Sequence, residues 1–368
     1  MQESPDACAV SVAPLPKTAF VSSDVEAYRV EGIQEDHWDG PMKDHPACSF
    51  FHSTAWANVL KDTYGYEPLS FGSRHQGQVS AFLPMMEVNS HLTGRRGISL
   101  PFTDYCEPLV RDTGSLTSVL QTVIQHGKSR GWRYVELRGG RDLLKEVSSS
   151  ASFFCHRLRL SAKVEDLFEC FDSSVRRAIR KAERLGVRVG IHNTLSDVKD
   201  FFALHCGTRR RYGLPPQPFS FFQSIYKHIL CAGLGFIVLA RYKDTPVAAA
   251  MFFHSGRAAI YKFGASNQEF NQLRANNLSI WEAIKWYASH DYTTLHFGRT
   301  SMENTGLRRF KQGWGTEEYQ LPYFKYDLQR NCFLTEREEL LAWHNRVFQR
   351  VPIFISRLLG RLMYRHVA

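Results

Sequence analysis

The order of predicted elements repeats along this chain, and that repeat limits the fold more than any other feature. The first half predicts a helix in "FFHSTAWANVLKDTYGYEP", a hairpin in "LSFGSRHQGQVSAFLPMMEVNS", a second helix and the apolar strand "WRYVEL". The same order returns in the second half and ends in the strand "TTLHFG". Apolar residues recur at helical spacing, as Trp56, Val59 and Leu60 do. The sequence therefore predicts an α/β (α+β) protein of two similar units, each a mixed, mostly antiparallel sheet flanked by helices.

The length of the chain supports two domains. A chain of 368 residues exceeds the usual size of a single hydrophobic core. We expect residues 1–20 to form a flexible leader, 21–160 an N-terminal domain, 161–328 a C-terminal domain with the main cleft, and 329–368 a basic amphipathic tail.

The tail is basic on one face and apolar on another. Arg357, Arg361 and Arg365 repeat at intervals of four residues in a predicted helix that is broken near Pro352. Its apolar face consists of Leu358, Leu359, Leu362 and Met363. Two interpretations stay open: attachment to an anionic membrane surface, and docking on the surface of the protein itself.

Composition narrows the partners and the compartment. The net charge of +10 predicts an anionic partner: nucleic acid, a phosphorylated substrate or an anionic membrane surface. The eight cysteines form no CxxC pair and no zinc-ligand cluster, so we expect reduced thiols and no metal site. The chain shows neither a signal peptide nor an apolar run of about 18 residues. These features predict a cytoplasmic protein, monomeric or weakly oligomeric, with a peripheral position on the inner face of the membrane as the alternative.

The common catalytic motifs of hydrolases and NTPases are missing, but two segments of the second half are rich in cations and amides. Neither GxSxG, HExxH nor a P-loop occurs. "CGTRRRYGLPPQP" predicts either an arginine clamp for an anion or a solvated helix end. In "IYKFGASNQEFNQLRANNL", Asn276 and Asn277 open a predicted helix, so simple N-capping is an equal interpretation of the two amides.

A third segment, "HFGRTSMENTGLRRFKQGWGTE", combines a strand end with a short basic helix. This order brings Arg299 and Lys311 into one neighbourhood. Phe310 and Trp314 have the four-residue spacing that anchors a helix by packing. We therefore predict that Lys311 is held in place and faces a cleft, where it meets a negative charge.

Taken in order, these motifs resemble those of the FemAB-like proteins, over about residues 45–328. The segments that carry the resemblance are "FHSTAWANVLKDTYGYEP", "AFLPMMEV", "GISLPFTDYCEPLV", "TRRRYGLPPQP", "YKFGAS", "NNLSIWEAIKWYA", "HFGRTS" and "GLRRFKQGWG". FemAB-like proteins are peptidoglycan interpeptide-bridge aminoacyltransferases and their relatives, built from two GNAT acyltransferase domains. The chain looks most like the Gram-negative subgroup found with exopolysaccharide and protein-sorting gene clusters.

The resemblance implies acyl transfer without a metal. An amine of an anionic, phosphorylated or lipid-linked acceptor would attack an acyl-CoA or aminoacyl-tRNA donor directly, with no covalent enzyme intermediate and no tightly bound cofactor. It implies catalytic roles for Lys311, Tyr261 and His296. It implies substrate contacts by Arg209, Arg210, Tyr212, Arg299, Asn276, Trp314 and Tyr105.

The chain departs from the family pattern at three points. His296 stands where the family usually has an acid, so a neutral imidazole is the expected base. No charged heptad segment separates the halves, which weakens the case for aminoacyl-tRNA. No [QR]xxGx[GA] loop occurs, which weakens the case for acyl-CoA equally. The donor therefore stays open.

Three functions remain in competition. The leading hypothesis is an acyl- or aminoacyltransferase that acts on an amine of a cell-envelope or polysaccharide precursor. The second is a catalytically degenerate pair of GNAT domains that serves as a membrane-surface scaffold in polymer export. The third is a nucleic-acid-binding protein, which the arginine-rich "RRAIRKAERLGVRV" favours, although no recognised binding module accompanies it.

Overall fold

The computed structural model describes residues 25–34, 38–40, 42–335 and 352–367. The predicted leader and the first part of the predicted tail helix, before Pro352, lie outside these residues. The strands are β1 (Val25–Glu31), β2 (Glu67–His75), β3 (Gln78–Ser90), β4 (Gly94–Ile98), β5 (Leu109–Val110), β6 (Tyr134–Arg138), β7 (Ala151–Arg159), β8 (Arg188–His192), β9 (Gly235–Tyr242), β10 (Thr245–Ser255), β11 (Ala258–Ser266), β12 (Thr294–Ser301), β13 (Glu317–Asp327) and β14 (Cys332–Leu334). The α-helices are α1 (Thr54–Tyr64), α2 (Thr113–Ser129), α3 (Val164–Cys170), α4 (Ser173–Arg184), α5 (Leu195–Arg211), α6 (Phe219–Ile225), α7 (Ala275–Ala288), α8 (Thr305–Gln312) and α9 (Ile353–Met363).

The described strands form one continuous sheet. Its order is β1-β2-β3-β4-β6-β13-β7-β12-β11-β10-β9-β8, with β14 beside β13 and β5 beside β3. Most neighbours are antiparallel, but β4 with β6 and β11 with β12 are parallel. The helices α2 and α7 make the crossovers between these parallel pairs, so the two halves repeat the same topology. The predicted mixed, mostly antiparallel α+β fold is confirmed.

The two halves exchange strands at the centre of the sheet. β13, from the second half, pairs with β6 of the first half. β7, from the first half, lies between β13 and β12 and pairs with both. The predicted domain boundary at residue 160 stays a prediction, since the sheet runs through it without interruption.

The largest apolar core joins the two halves. Trp56 of α1 and Phe221 of α6 are fully buried, and their rings meet edge to face at 5.9 Å. Ser53 caps α1, since its side chain accepts the Trp56 N–H. Burial of so many aromatic rings between the halves makes independent movement of the halves costly.

The described part of the tail docks on the protein. α9 packs on α5, and Tyr66 donates its hydroxyl proton to the carbonyl oxygen of Tyr364 at 3.0 Å. No helix of the described residues is both long enough and apolar enough to cross a bilayer.

Candidate functional site

The parallel strands β11 and β12 separate halfway along their length. They pair only at three positions, of which the last joins Ile260 to His296. Just beyond this point β11 carries a bulge at Lys262, opposite the Met251/Phe252 step of β10. β12 carries a second irregularity between His296 and Arg299, where Gly298 has a φ of 69°. Bulges bend strands and end pairing, so the two strands enclose a wedge with free backbone edges.

Lys311 lies behind the irregular part of β12. Its Nζ donates to the carbonyl oxygens of Gly298 and Arg299 at 2.9 and 3.0 Å. Only 3% of Lys311 is exposed, and burial lowers the pKa of its ammonium group to about 8. The prediction that Lys311 faces an open cleft is therefore wrong. The irregular part of β12 presents two carbonyl oxygens to α8. These oxygens, and not a bound ligand, accept the hydrogen bonds of the Lys311 ammonium group.

The aromatic residues next to Lys311 belong to the core. Phe310 and Trp314 make the predicted contact, with their rings at 6.3 Å. Trp314 is fully buried and also packs on Phe171 and Phe297. The prediction that Trp314 touches a substrate is wrong, because the core encloses the indole completely.

A buried cluster of charges lies where the two halves meet beside the wedge. Lys262 donates to a carboxylate oxygen of Asp104 at 2.6 Å and to the carbonyl oxygen of Phe102 at 2.7 Å. The Arg299 N–H donates to the other Asp104 oxygen at 3.1 Å, and the Arg299 guanidinium group lies 4.3 Å from the ring centre of Phe153. Burial alone would raise the pKa of Asp104, but Lys262 and Arg299 outweigh it and lower that pKa.

This cluster carries an excess of positive charge. The cations Lys262, Arg299 and Lys311 lie near the carboxylate of Asp104, and the neighbouring ion pair of Arg138 and Glu136 adds no net charge. Sequence reasoning did not pair Asp104 with Lys262, because 158 residues separate them and a local motif does not indicate which distant residue its side chain contacts. A buried excess of positive charge favours negative charge that develops nearby.

A basic groove opens on the α7 side of the wedge. It consists of three adjoining cavities of about 930, 360 and 590 Å³ that share lining residues. Its lining has six cationic residues, Arg177, Lys181, Arg210, Arg211, Arg274 and Arg309. Three carboxylates line it as well, Asp172, Asp200 and Glu269. Of the predicted site residues, Arg210, Tyr212 and Asn276 meet in this groove.

The side chain of Tyr261 lies near the same groove. Its ring packs on Phe252 and Phe297, and its hydroxyl is so close to Gly264 that a Cβ there would lie 1.9 Å from the oxygen. Burial raises the pKa of Tyr261, and the neighbouring Tyr212 raises it further. Tyr261 is therefore a neutral hydroxyl group in its ordinary state, able to donate one hydrogen bond.

The N-terminus of α7 forms part of the groove wall. Arg274 precedes the helix with a φ of 58°, and no side chain caps the helix. The N-capping interpretation of Asn276 and Asn277 is therefore wrong, since both stand inside the first turn. The uncapped first turn of this 14-residue helix, with its positive dipole end, favours an anion in the groove.

His296 and Tyr105 line a different cavity, of about 610 Å³. Their rings lie 5.1 Å apart, and the hydroxyl of Tyr319 lies 3.4 Å from Nδ1 of His296. Burial lowers the pKa of His296 to about 4, so the imidazole is neutral at neutral pH and a weak base. Glu107 lines this cavity too, and burial raises the pKa of its carboxyl group. Sequence reasoning did not single out Glu107.

Arg209 binds the tail. Its Nη2 donates to the hydroxyl oxygen of Tyr364 at 2.7 Å, and its Nε donates to the carbonyl oxygen of Pro215 at 3.3 Å. These contacts fix the α5–α6 loop against α9. Of the "TRRRYG" arginines, Arg210 and Arg211 are therefore the ones that reach the groove.

Comparison with known proteins gives the same architecture. Residues 171–321 match the model of the acetyltransferase (GNAT) domain. A lipid II:glycine glycyltransferase of Staphylococcus aureus is 28% identical over 122 residues, which are 31% of this chain and 28% of that relative. The chain thus matches under a third of its curated relatives' length.

Two solved structures share the fold. The crystal structure of FemX superposes with a TM-score of 0.65 at 16% identity, and the match covers 80% of this chain and 96% of FemX. A tandem GNAT protein from the clavulanic acid biosynthesis pathway superposes with a TM-score of 0.54 at 10% identity, over 82% of this chain and 99% of that one. At these identities the likeness concerns the fold alone, and it confirms the predicted tandem GNAT architecture.

Proposed function

We propose that this chain, which resembles the FemAB-like proteins and matches the GNAT domain model over residues 171–321, transfers an activated acyl or aminoacyl group to an amine. The acceptor in this proposal is a cell-envelope or polysaccharide precursor. One observation carries the proposal: the wedge between β11 and β12 opens beside a basic groove that ends at the uncapped N-terminus of α7.

The groove suits the anionic part of an activated donor. Both acyl-CoA and the 3′ end of aminoacyl-tRNA carry phosphates next to an extended arm that ends in the reactive carbonyl group. Arg210, Arg211 and Arg274 would bind the phosphates, and the first turn of α7 supplies N–H groups for them. The free edge of β11 offers backbone groups to an extended arm, as a sheet edge does for an added strand.

The chemical step needs no covalent enzyme intermediate. The amine nitrogen attacks the carbonyl carbon, and the electron pair of the C=O bond moves to the oxygen. When that pair returns, the bond to the thiolate or ribose oxygen breaks, and the leaving group takes up the proton that the amine loses. The cations Lys262, Arg299 and Lys311 make the potential beside the wedge positive, which favours the oxyanion.

In this proposal Lys311 is a positioning residue. Its ammonium group binds the two carbonyl oxygens of the β12 bulge and so holds the wedge open. Its positive charge acts on the wedge from nearby, without contact with the substrate. The cavity of His296 and Tyr105 would receive the acceptor amine, since it lies at the closed end of the wedge. A lipid-linked acceptor would place the protein at the inner face of the cytoplasmic membrane.

Binding and single-turnover measurements test the proposal. The wild-type protein is titrated with an acyl-CoA, an aminoacyl-tRNA and UDP-linked or lipid-linked precursors. Transfer is then measured with whichever donor binds. Arg210→Gln and Arg274→Gln should each weaken donor binding about tenfold, because each removes a charged contact to a phosphate. The matched control is Arg330→Gln, which removes an exposed arginine outside the groove.

The outcomes separate the candidate functions. Donor binding that the groove variants weaken, together with transfer to an amine, supports the proposal. Donor binding that Arg210→Gln and Arg274→Gln leave unchanged would contradict the placement of the donor. The scaffold remains the second candidate, because the buried Lys311 and the weakly basic His296 leave the wedge without a strong base. A protein that binds membranes but none of these donors would favour it.

A further inference from the structure

α9 docks on the protein through its small residues. Ser356 and Gly360, one turn apart, are its buried positions. Gly360 lies so close to the carbonyl oxygen of Pro216 that a Cβ would approach it to 2.0 Å. The large apolar residues of the helix face away from the protein: Phe354, Leu358 and Leu362 are 72%, 57% and 58% exposed. They repeat every four residues and form a continuous apolar stripe in contact with water.

The turn after α9 is bound firmly to both halves of the protein. The hydroxyl of Tyr364 donates to the carbonyl oxygen of Pro215 at 3.0 Å, on the second half. The carbonyl oxygen of His366 accepts from Arg96 at 2.8 Å and from the Thr93 hydroxyl at 2.9 Å, on the first half. The exposed stripe therefore belongs to a helix that is held in place.

The β3–β4 turn adds an apolar residue next to this helix end. Leu92 at its tip is 78% exposed. Ser90, which begins this turn, contacts Nδ1 of His366 at 2.9 Å and also accepts the Leu92 N–H. Because His366 binds this turn, Leu92 lies in the segment that contacts the chain just after α9, where Val367 is exposed as well.

The charges beside the apolar stripe are positive. Arg361 of α9 and Arg365 just after the helix are exposed, and residues 352–367 contain no acid. A two-fold contact between copies of this face would bring two arginine rows together, and like charges oppose that contact. An anionic lipid surface matches both the apolar stripe and the arginines.

We propose that the outer face of α9 and the tip of the β3–β4 turn together form a docking face for an anionic membrane. We call this the lipid-facing surface; it comprises Phe354, Leu358, Leu362, Leu92, Arg361 and Arg365. The apolar side chains enter the acyl boundary, and the arginines bind lipid phosphates. This inference deepens the proposed function, because it identifies the side of the protein that would meet a lipid-linked acceptor. The lipid-linked acceptor itself rests on the proposed function.

Vesicle binding by the full chain tests the inference. The wild type is sedimented with phosphatidylcholine vesicles that contain either no anionic lipid or about one third phosphatidylglycerol. The triple variant F354S/L358S/L362S should reduce partitioning into anionic vesicles at least about tenfold, because it removes three large apolar groups. The matched control L185S/I191S/L307S removes three exposed apolar residues elsewhere and should bind like the wild type.

The arginines provide an independent variant. R361Q/R365Q should weaken binding to anionic vesicles about twenty-five-fold, at roughly fivefold for each charge, and should make the remaining binding less sensitive to salt. Brominated lipids add a direct readout, because a tryptophan introduced by Leu92→Trp should be quenched if this turn enters the bilayer.

Three results would overturn the inference. The first is a wild type that binds neither vesicle, and the second is a triple variant that binds as tightly as its control. The third is a wild-type dimer in gel filtration that the triple variant converts to a monomer. The rate of transfer from a soluble donor to a soluble amine shows whether only this inference fails or the proposed function fails as well. The triple variant should keep that activity, and Arg274→Gln should keep vesicle binding.

Discussion

Lys311→Met gives the sharpest test of how the wedge is built. The ammonium group of Lys311 is buried against two carbonyl oxygens, and burial lowers its pKa from 10.5 to about 8. One pKa unit corresponds to about 1.4 kcal/mol, so keeping this group charged in the folded protein costs about 3 kcal/mol below pH 8. The unfolded chain binds more protons between pH 8 and 10.5. Stability must therefore rise with pH across that window.

The assay compares urea unfolding of the wild type and Lys311→Met from about pH 6.5 to about 9.5. The free energy of unfolding of the wild type, relative to the variant, should increase by about 2 kcal/mol over this range. The comparison isolates Lys311, because all other groups titrate in both proteins. Lys128→Met, which removes an exposed lysine of α2, is the control. A flat difference, or one that falls with pH, would refute the argument that Lys311 is held as a buried cation.

Three further predictions concern the charge cluster, the neutral histidine and the tail. Lys262→Met should lower the free energy of unfolding by about 3–5 kcal/mol, since it leaves the Asp104 carboxylate buried without its partner. In urea unfolding, the double variant with Asp104→Asn should regain part of this stability. A double variant that regains none would contradict the pairing. Burial holds the pKa of His296 at about 4, so the wild type should lose up to about 3 kcal/mol relative to His296→Gln as the pH falls from about 6.5 to 4, and equal acid unfolding curves would contradict this. Gly360→Ala places a Cβ 2.0 Å from a carbonyl oxygen and should undock α9, which faster proteolysis of the tail would report; Gly207→Ala, where a Cβ meets nothing within 4 Å, should cleave like the wild type.

Local patterns predicted the elements well, because a helix or a hairpin is specified by neighbours in the sequence. Ser53 begins α1 as its side-chain chemistry predicts, and the turn in "RHQGQ" separates β2 from β3. The contact between Phe310, in the last turn of α8, and Trp314, just after it, follows from their four-residue spacing. The repeated order of these elements was sufficient to predict two similar α+β units.

Long-range pairing could not be predicted in this way. The exchange of β7 and β13 between the halves depends on strands about 160 residues apart. The sequence of neither strand indicates which other strand it pairs with. The pair of Asp104 and Lys262 depends on the same kind of contact. The residues implied as one site therefore separate into the groove, the buried cluster, the His296 cavity, the tail contact of Arg209 and the core around Trp314.

The sequence by itself determined that Lys311 is held, and the tertiary structure decided what holds it. The contact of Phe310 with Trp314 follows from their separation of four residues, which is a local property. The bulge in β12 that presents two carbonyl oxygens to Lys311 arises where strands from both halves meet. The same distinction applies to α9: its arginines and leucines are legible in the sequence, but only the fit of Gly360 against Pro216 turns the apolar side outward. Periodicity specifies the faces of a helix, whereas the surface on which the helix packs decides which of them is buried.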